Sequence, residues 1–587
     1  MRGHLPGDPR RARADRHGAT RSVGLASPDA RRASLTPAPE SANAWRVTCP
    51  WTAPAERPVS TAVPAWRRAL PLALVAAFSL VVRAALVSIP LERDEGSYAY
   101  VAQHWLAGEL PYRDAFDQKP PGTFLVYAAL FALGGTSIEA IHWLAHVSLL
   151  GTLGFVYLIG RRLFSPAVGW MASLATVVLV MDRSVQGQAA NTEVFAILPL
   201  SAAVYFALRA AESARVRDAL LVGVSGGLAL CFKQVALPVV ACAAAWGPMS
   251  WWRSRRRHAL VLLGASIAGV ALILAPTALY FAWRGGWSAF YDGVVGYNVA
   301  YSSRVSLRSY GEKLWRRLQD LGPSQWPLWI ASAGALASRR GALPCAWWWM
   351  AAFVGVSVGG YFRPHYFILL MPPTALLAAH GFAVLGRLVA RRRPGAVAAL
   401  LMGAAVSWPL VAHRTYYLAP SPDAACRQMY GFNPFPESVT LARLLRDHST
   451  PDDRIFIFGS EPQILFYAGR RSASRYVFLY PLFTGGSDAP ARQREVTEEL
   501  RHPPRFVVIV HVAASFVAAP RALGDFEHDM MTMVHASYRQ FAAVSVRRDG
   551  SYRIVDLTAD AAGSEAAHAE LAKNMTTLEV WERIAGR

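Results

Sequence analysis

Arginine clusters fall in every second gap between the apolar runs of this chain, and that alternation constrains the fold more than any other feature. A membrane-spanning helix needs ~20 mostly apolar residues. Candidate runs occur at 69–89, 138–159, 167–182, 194–209, 218–233, 235–250, 259–283, 325–338, 343–361, 366–386 and 394–412, which makes about eleven spans on that criterion. Arg67 with Arg68, Arg161 with Arg162, Arg215 with Arg217, the arginines of 253–257, Arg339 with Arg340 and the three of 391–393 occupy alternate gaps. Positive charge is retained on the cytoplasmic side. The opposite gaps (90–137, 183–193, the stretch around Lys233, 284–324 and 362–365) are therefore expected outside. An odd number of spans puts the N-terminus inside and the C-terminal domain outside.

Composition agrees with a membrane protein: the chain is 53% hydrophobic and 17% charged, against ~25% charged in soluble domains. A net charge of +21 would suit a nucleic-acid partner. The basic residues are instead the short clusters that mark cytoplasmic loops, so nucleic acid is not expected as a partner. The cysteines show no paired spacing, which argues against a disulfide framework or a thiolate zinc site. Residues 1–66 read as a disordered basic cytoplasmic tail without a signal peptide. Residues 67–412 read as the membrane domain, and 413–587 as a small extracytoplasmic α/β domain. Its expected strands are RIFIF (454–458), RYVFLY (475–480) and FVVIV (506–510), with a helix over 491–501. A hairpin over 541–557 is expected to turn at Asp549 and Gly550, and the chain is expected to end in a polar helix. The fold class is mostly α: a polytopic helical membrane domain with a small α/β appendage.

The polar interval 91–127, LERDEGSYAYVAQHWLAGELPYRDAFDQKPPGTFLVY, interrupts this apolar half. Ionisable groups held between spans at one face of a bilayer mark a functional site. Tyr98, Ala102 and Trp105 recur at helical spacing and Gly108 supplies a stop, so 94–108 is expected to form an amphipathic helix on the membrane surface. Asp94 and Glu95 at its start would serve as N-terminal capping acids. Lys119 precedes two prolines, which hold it extended. A rigidly presented ammonium suits a phosphate, whereas an interfacial lysine otherwise snorkels.

The pattern D-E-G-x-Y-x-Y over 94–100, continued by PYRDAFDQKPPG to residue 122, resembles the first outer loop of the GT-C membrane glycosyltransferases. The resemblance is to the branch of dolichyl-phosphate-mannose protein mannosyltransferase-like proteins, lipid A aminoarabinose transferases and Rgt-type transferases of lipopolysaccharide core. QGQAANTEVF (186–195), FKQ (232–234), GYNVAY (296–301), RPHYFILLMPP (363–373) and IFIFGSEPQILFYAGRRSASRYVF (455–478) follow in matching order. The resemblance covers roughly residues 66–515. It implies a GT-C fold, a polyprenyl-phosphate sugar donor, and transfer with inversion to a lipid, glycan or protein acceptor outside a bacterial inner membrane. It also implies that Asp94 is the catalytic carboxylate and that Lys119 contacts the lipid phosphate.

That chemistry needs a carboxylate near the incoming hydroxyl and cations on the departing phosphate. Glu95 is then a supporting carboxylate, and Arg93 and Lys233 are further phosphate candidates, with snorkelling the alternative for Lys233. Glu193, Asn191, Tyr98, Asn298 and His365 are candidates for binding sugar or acceptor. A solvated loop acid, a structural histidine and an interfacial aromatic belt are the plainer readings of Glu193, His365 and the tyrosines near Asn298. The aminoarabinose transferases carry a metal-binding acid immediately before the KPP lysine, where this chain has Gln118. A divalent cation would therefore depend on Asp94, Glu95, Glu193 and His365 converging. A lipid-linked-sugar flippase, or a membrane protein that binds glycolipid without catalysis, are the rival readings. The gathering of polar residues at one face favours surface chemistry over passage.

Overall fold

Each candidate span named above lies mostly on a helix. The computed structural model describes residues 65–302, 306–338, 341–484, 488–516, 524–558 and 561–584. The tail expected at 1–66 lies almost wholly outside them, as do Arg339 and Arg340. The helices are α1 (Ala65–Ala84), α2 (Arg93–Leu106), α3 (Gly122–Ala132), α4 (Ile138–Leu163), α5 (Pro166–Val180), α6 (Thr192–Ser213), α7 (Val216–Phe232), α8 (Leu237–Trp251) and α9 (Arg256–Trp283). Leu307–Ala335, Leu343–Ser357, Met371–Val389 and Pro394–Ala412 complete the bundle.

Among the described residues, five helical segments are long and apolar enough to cross a membrane: Ile138–Leu163, Thr192–Ser213, Arg256–Trp283, Pro364–Val389 and Pro394–Ala412. Leu70–Ala84, Gly122–Ala132, Pro166–Val180 and Leu343–Ser357 are apolar but shorter. The count of about eleven spans is not confirmed by length. One reason is visible at Lys233, where α7 stops in extended backbone (φ −153°, ψ 127°) before the chain turns into α8. The gap 90–137 also contains an apolar helix of its own, α3.

The C-terminal segment builds a six-stranded mixed sheet in the order β2-β1-β3-β6-β4-β5. Its strands are β1 (Arg454–Phe458), β2 (Arg471–Ser472), β3 (Phe506–Val510), β4 (Tyr538–Val546), β5 (Tyr552–Asp556) and β6 (Met575–Arg583). β1 pairs in parallel with β2 and β3, and the other pairings are antiparallel. Every residue of β3 is buried, as its unbroken apolar run requires of a strand covered on both faces. The helix expected over 491–501 is Ala489–Glu499, and the β4–β5 hairpin turns where Gly550 takes φ +86°.

Two sequence expectations differ from the structure. RYVFLY is not a strand: β2 is the short Arg471–Ser472, and the apolar run after it is buried as irregular chain and the start of a helix. The chain also continues past its last polar helix, Ala561–Lys573, into β6, which lies between β3 and β4. The alternation that makes β6 a strand begins in MTTLEV, a stretch too polar to stand out on hydropathy.

Candidate active site

Helix α2 advances about 100° per residue, so its first turn presents three faces, and each face meets a different part of the chain. Asp94, Ser97 and Tyr98 look toward the AFDQKPPG loop. Ser97 Oγ donates to Asp117 Oδ2 at 2.6 Å, and Lys119 Nζ lies 3.4 Å from Asp94 Oδ1. Glu95 looks away from that loop: its Oε1 accepts from the Ala190 amide at 2.6 Å and sits 3.0 Å from His142 Nε2. Buried Arg83 of α1 locks the same region by donating to the carbonyls of His142 and Gln188. Arg93, Gly96 and Tyr100 form the third face, against the C-terminal segment. The expected surface helix is therefore enclosed: residues 95–102 are all buried, because the sheet segment covers the side that would have faced water.

Lys119 is the hub of the first face. The Asp117 carboxylate accepts the Lys119 backbone amide at 2.9 Å and stands 3.9 Å from its Nζ, so one acid shapes the turn and also holds the ammonium. The same ammonium lies 5.2 Å from the centroid of the Tyr98 ring. Pro120 and Pro121 lead into α3, whose Gly122 is packed so tightly that a Cβ would stand 2.5 Å from the Cys231 carbonyl oxygen. The Gln118 carbonyl accepts from Gln234 Nε2 at 3.2 Å and Asn298 Nδ2 at 2.8 Å. QKPP, FKQ and GYN, three motifs far apart in sequence, thus meet at one oxygen. Asn298 braces the loop.

Beside this hub, Lys233 Nζ pairs with Glu193 Oε1 at 2.9 Å and lies 4.6 Å from the Tyr366 ring centroid. Thr192 Oγ1 donates to Glu193 Oε2 at 2.8 Å. Asn191 occupies the N-cap position of α6 without capping it, and neither atom of its buried amide has a protein hydrogen-bond partner. The Tyr98 hydroxyl is likewise buried and unpartnered. Burial pushes the Asp94 carboxyl upward, but Lys119, His365, Lys233 and Arg363 around it outweigh this and hold it well below the usual carboxylate range. Burial lowers Lys119, and Asp94 and Asp117 more than reverse that. The Asp94–Lys119 pair is therefore ionised at any physiological pH.

The structure brings together Asp94, Lys119, Tyr98, Glu193, Lys233 and His365, with Asn191 two residues before Glu193 at the start of α6. It draws two candidates away. Glu95 is turned into the helix packing, because its neighbour Asp94 already occupies the loop-facing side. Arg93 is ion-paired with the fully buried Glu461 and donates to the Ser460 carbonyl. With Glu95 averted, the four residues considered for a cation do not converge. No group of three or more His, Cys, Asp or Glu that could hold a metal ion occurs among the described residues, so the donor set does not fit one. Asp117, Arg363, Tyr366 and Glu461 were not singled out from sequence. Each lies inside a quoted motif, but a single sequence does not rank the positions within a motif.

Residues 118–281 match the dolichyl-phosphate-mannose-protein mannosyltransferase family. The fold is similar to the crystal structure of ArnT from Cupriavidus metallidurans bound to undecaprenyl phosphate. That likeness has a TM-score of 0.54 at 16% identity and covers 84% of this chain and 99% of that one. The chain has the GT-C fold. ArnT in the apo state is similar at TM-score 0.53 and 18% identity, over 82% of this chain and 97% of that one. No curated protein matches the sequence significantly. The matched family is one of mannosyltransferases, and the matched residues include the KPP lysine, the QGQAANTEVF stretch and Lys233.

Proposed function

We propose that the chain is an integral-membrane glycosyltransferase that moves a sugar from a polyprenyl-phosphate donor to an extracytoplasmic acceptor with inversion. The observation that carries this reading is the ionised Asp94–Lys119 pair, with Nζ 3.4 Å from Oδ1, where the outer loops meet. A carboxylate held ionised by its neighbours is ready to accept a hydrogen bond from the attacking hydroxyl and orient it, and donor phosphate drawing Lys119 away would raise its basicity for the proton transfer. The cation beside it is placed to stabilise the departing phosphate. Lys233 is the second phosphate-facing cation, its charge balanced by Glu193 until substrate arrives. Tyr98 and Asn191, whose polar atoms lack protein partners, are offered to sugar or acceptor hydroxyls. His365 lines the same space.

Arg93 and Glu95 take supporting parts in this scheme. Arg93 holds α2 to the C-terminal segment, and Glu95 holds it to α4 and the second outer loop. The placement is a bacterial inner membrane, with 413–587 outside. That orientation is supported by contacts that bring residues of all five opposite gaps together around Lys119 and Lys233, with the C-terminal segment packed on α2 beside them. The protein in which undecaprenyl phosphate is bound, ArnT, shares this fold.

The test is Asp94→Asn in a deletion strain whose missing glycolipid or glycan has been identified by mass spectrometry. Transfer should fall by ~10²–10⁴-fold, the range set by loss of a positioned general base, at unchanged protein level. Normal product from that variant removes Asp94 from the mechanism.

A further inference from the structure

Three contacts on one face of α2 come from a single stretch of the sheet segment, residues 460–472. Arg93 donates to the Ser460 carbonyl and pairs with the Glu461 carboxylate, and its Nη2 lies 3.3 Å from Asn433 Oδ1. Three residues on, a Cβ at Gly96 would stand 2.5 Å from the Cβ and backbone nitrogen of Gln463. Four residues further, the Tyr100 hydroxyl accepts the Ser472 amide at 2.9 Å. The loop is itself braced, since Gln463 Nε2 donates to Glu461 Oε2 at 2.6 Å and to Ser438 Oγ at 3.1 Å. Phe435 and Tyr480 flank the guanidinium at 5.6 and 5.8 Å from their ring centroids.

A helix clamped at i, i+3 and i+7 cannot roll about its axis. Asp94 is next to Arg93 in sequence and lies about 100° around the helix from it, so the roll of α2 sets where the Asp94 carboxylate points. We infer that the C-terminal sheet segment is a positioning element of the active site, with Glu461 the positioning residue that, through Arg93, aims Asp94 at Lys119. This gives the outer domain a task it shares with α4 and the loop before α6, which hold the other side of α2 through Glu95. The inference rests on the catalytic reading of Asp94. The link is electrostatic and buried: Glu461 is fully enclosed, so Glu461→Gln removes the charge while keeping shape and hydrogen-bonding capacity.

The experiment uses membranes of the deletion strain carrying full-length variants, with the strain's own donor and acceptor as probe. Product per folded protein is followed against pH. In Glu461→Gln, turnover should fall about tenfold, a 1.4 kcal/mol change, and the acid limb should move to higher pH as Asp94 loses its hold on Lys119. Glu461→Asp should restore most of both. Asn433→Ala, which leaves the buried pair intact, keeps the test alive if Glu461→Gln does not fold; its shift should be smaller and in the same direction. Wild-type turnover and pH limb in these variants overturn the inference, as does a loss that merely tracks protein level. Asp94→Asn in the same series separates the two ideas: if it alone abolishes transfer, the catalytic reading stands and the positioning role falls. If it transfers normally, the reading falls first.

Discussion

Lys233 Nζ lies 2.9 Å from Glu193 Oε1, and the two side chains are 6% and 0% exposed. A pair so enclosed is strongly destabilised when one partner is removed, by about 3–5 kcal/mol, because a buried charge is stranded. Lys233→Met should therefore lower thermal stability sharply, and Lys233→Met with Glu193→Gln should recover most of it. Phosphate binding by Lys233 predicts that the stable double variant still needs more donor for half-maximal transfer. A wild-type donor dependence confines Lys233 to a structural role.

Lys119 allows a cleaner separation. Asp94 and Asp117 hold the ammonium in place, so Lys119→Ala leaves two carboxylates facing each other without a cation. The variant should bind undecaprenyl phosphate at least tenfold more weakly, a loss of about 1.4 kcal/mol or more. Equilibrium binding of the bare lipid phosphate to purified protein measures this without any sugar. Unchanged affinity would remove the phosphate role.

Glu95 should behave as a structural acid. Its Oε2 accepts the Glu92 amide at 3.1 Å, and its Oε1 accepts the Ala190 amide. Glu95→Gln keeps an acceptor there and should retain most transfer. Glu95→Ala strands buried donors at about 1–3 kcal/mol each and should lower the melting temperature. If Glu95→Gln matched the loss in Asp94→Asn, the averted orientation would be irrelevant to catalysis.

Glu92 supplies a pH dependence. Burial first, then Asp94 and Glu95, push its carboxyl up to about 8. Between about pH 5 and pH 8 the folded protein keeps a proton that the unfolded chain has released, so this group makes stability fall as pH rises. Wild-type melting temperature should drop across that window, and Glu92→Gln should flatten the drop. A variant with the same slope as wild type would exclude Glu92 as the source.

Much of the molecule was legible in the chain because it depends on local composition. Runs of apolar residues became helices, RIFIF and FVVIV became buried strands, and Asp549–Gly550 became a hairpin turn. RYVFLY misled because burial of an apolar run does not require strand geometry. β6 was missed because its pairing partners, β3 and β4, lie tens of residues away. Lys119 could be picked out because two prolines limit its backbone locally.

The order of Asp94 and Glu95 within the motif determined that the two carboxylates point about 100° apart, and so that both cannot reach one lysine. Which of them faces Lys119 was decided only in three dimensions. Arg93 is held by Ser460 and Glu461, and Glu95 by Ala190 and His142. Those partners come from distant parts of the chain, and a helix has no intrinsic preference for its own roll until something packs against it.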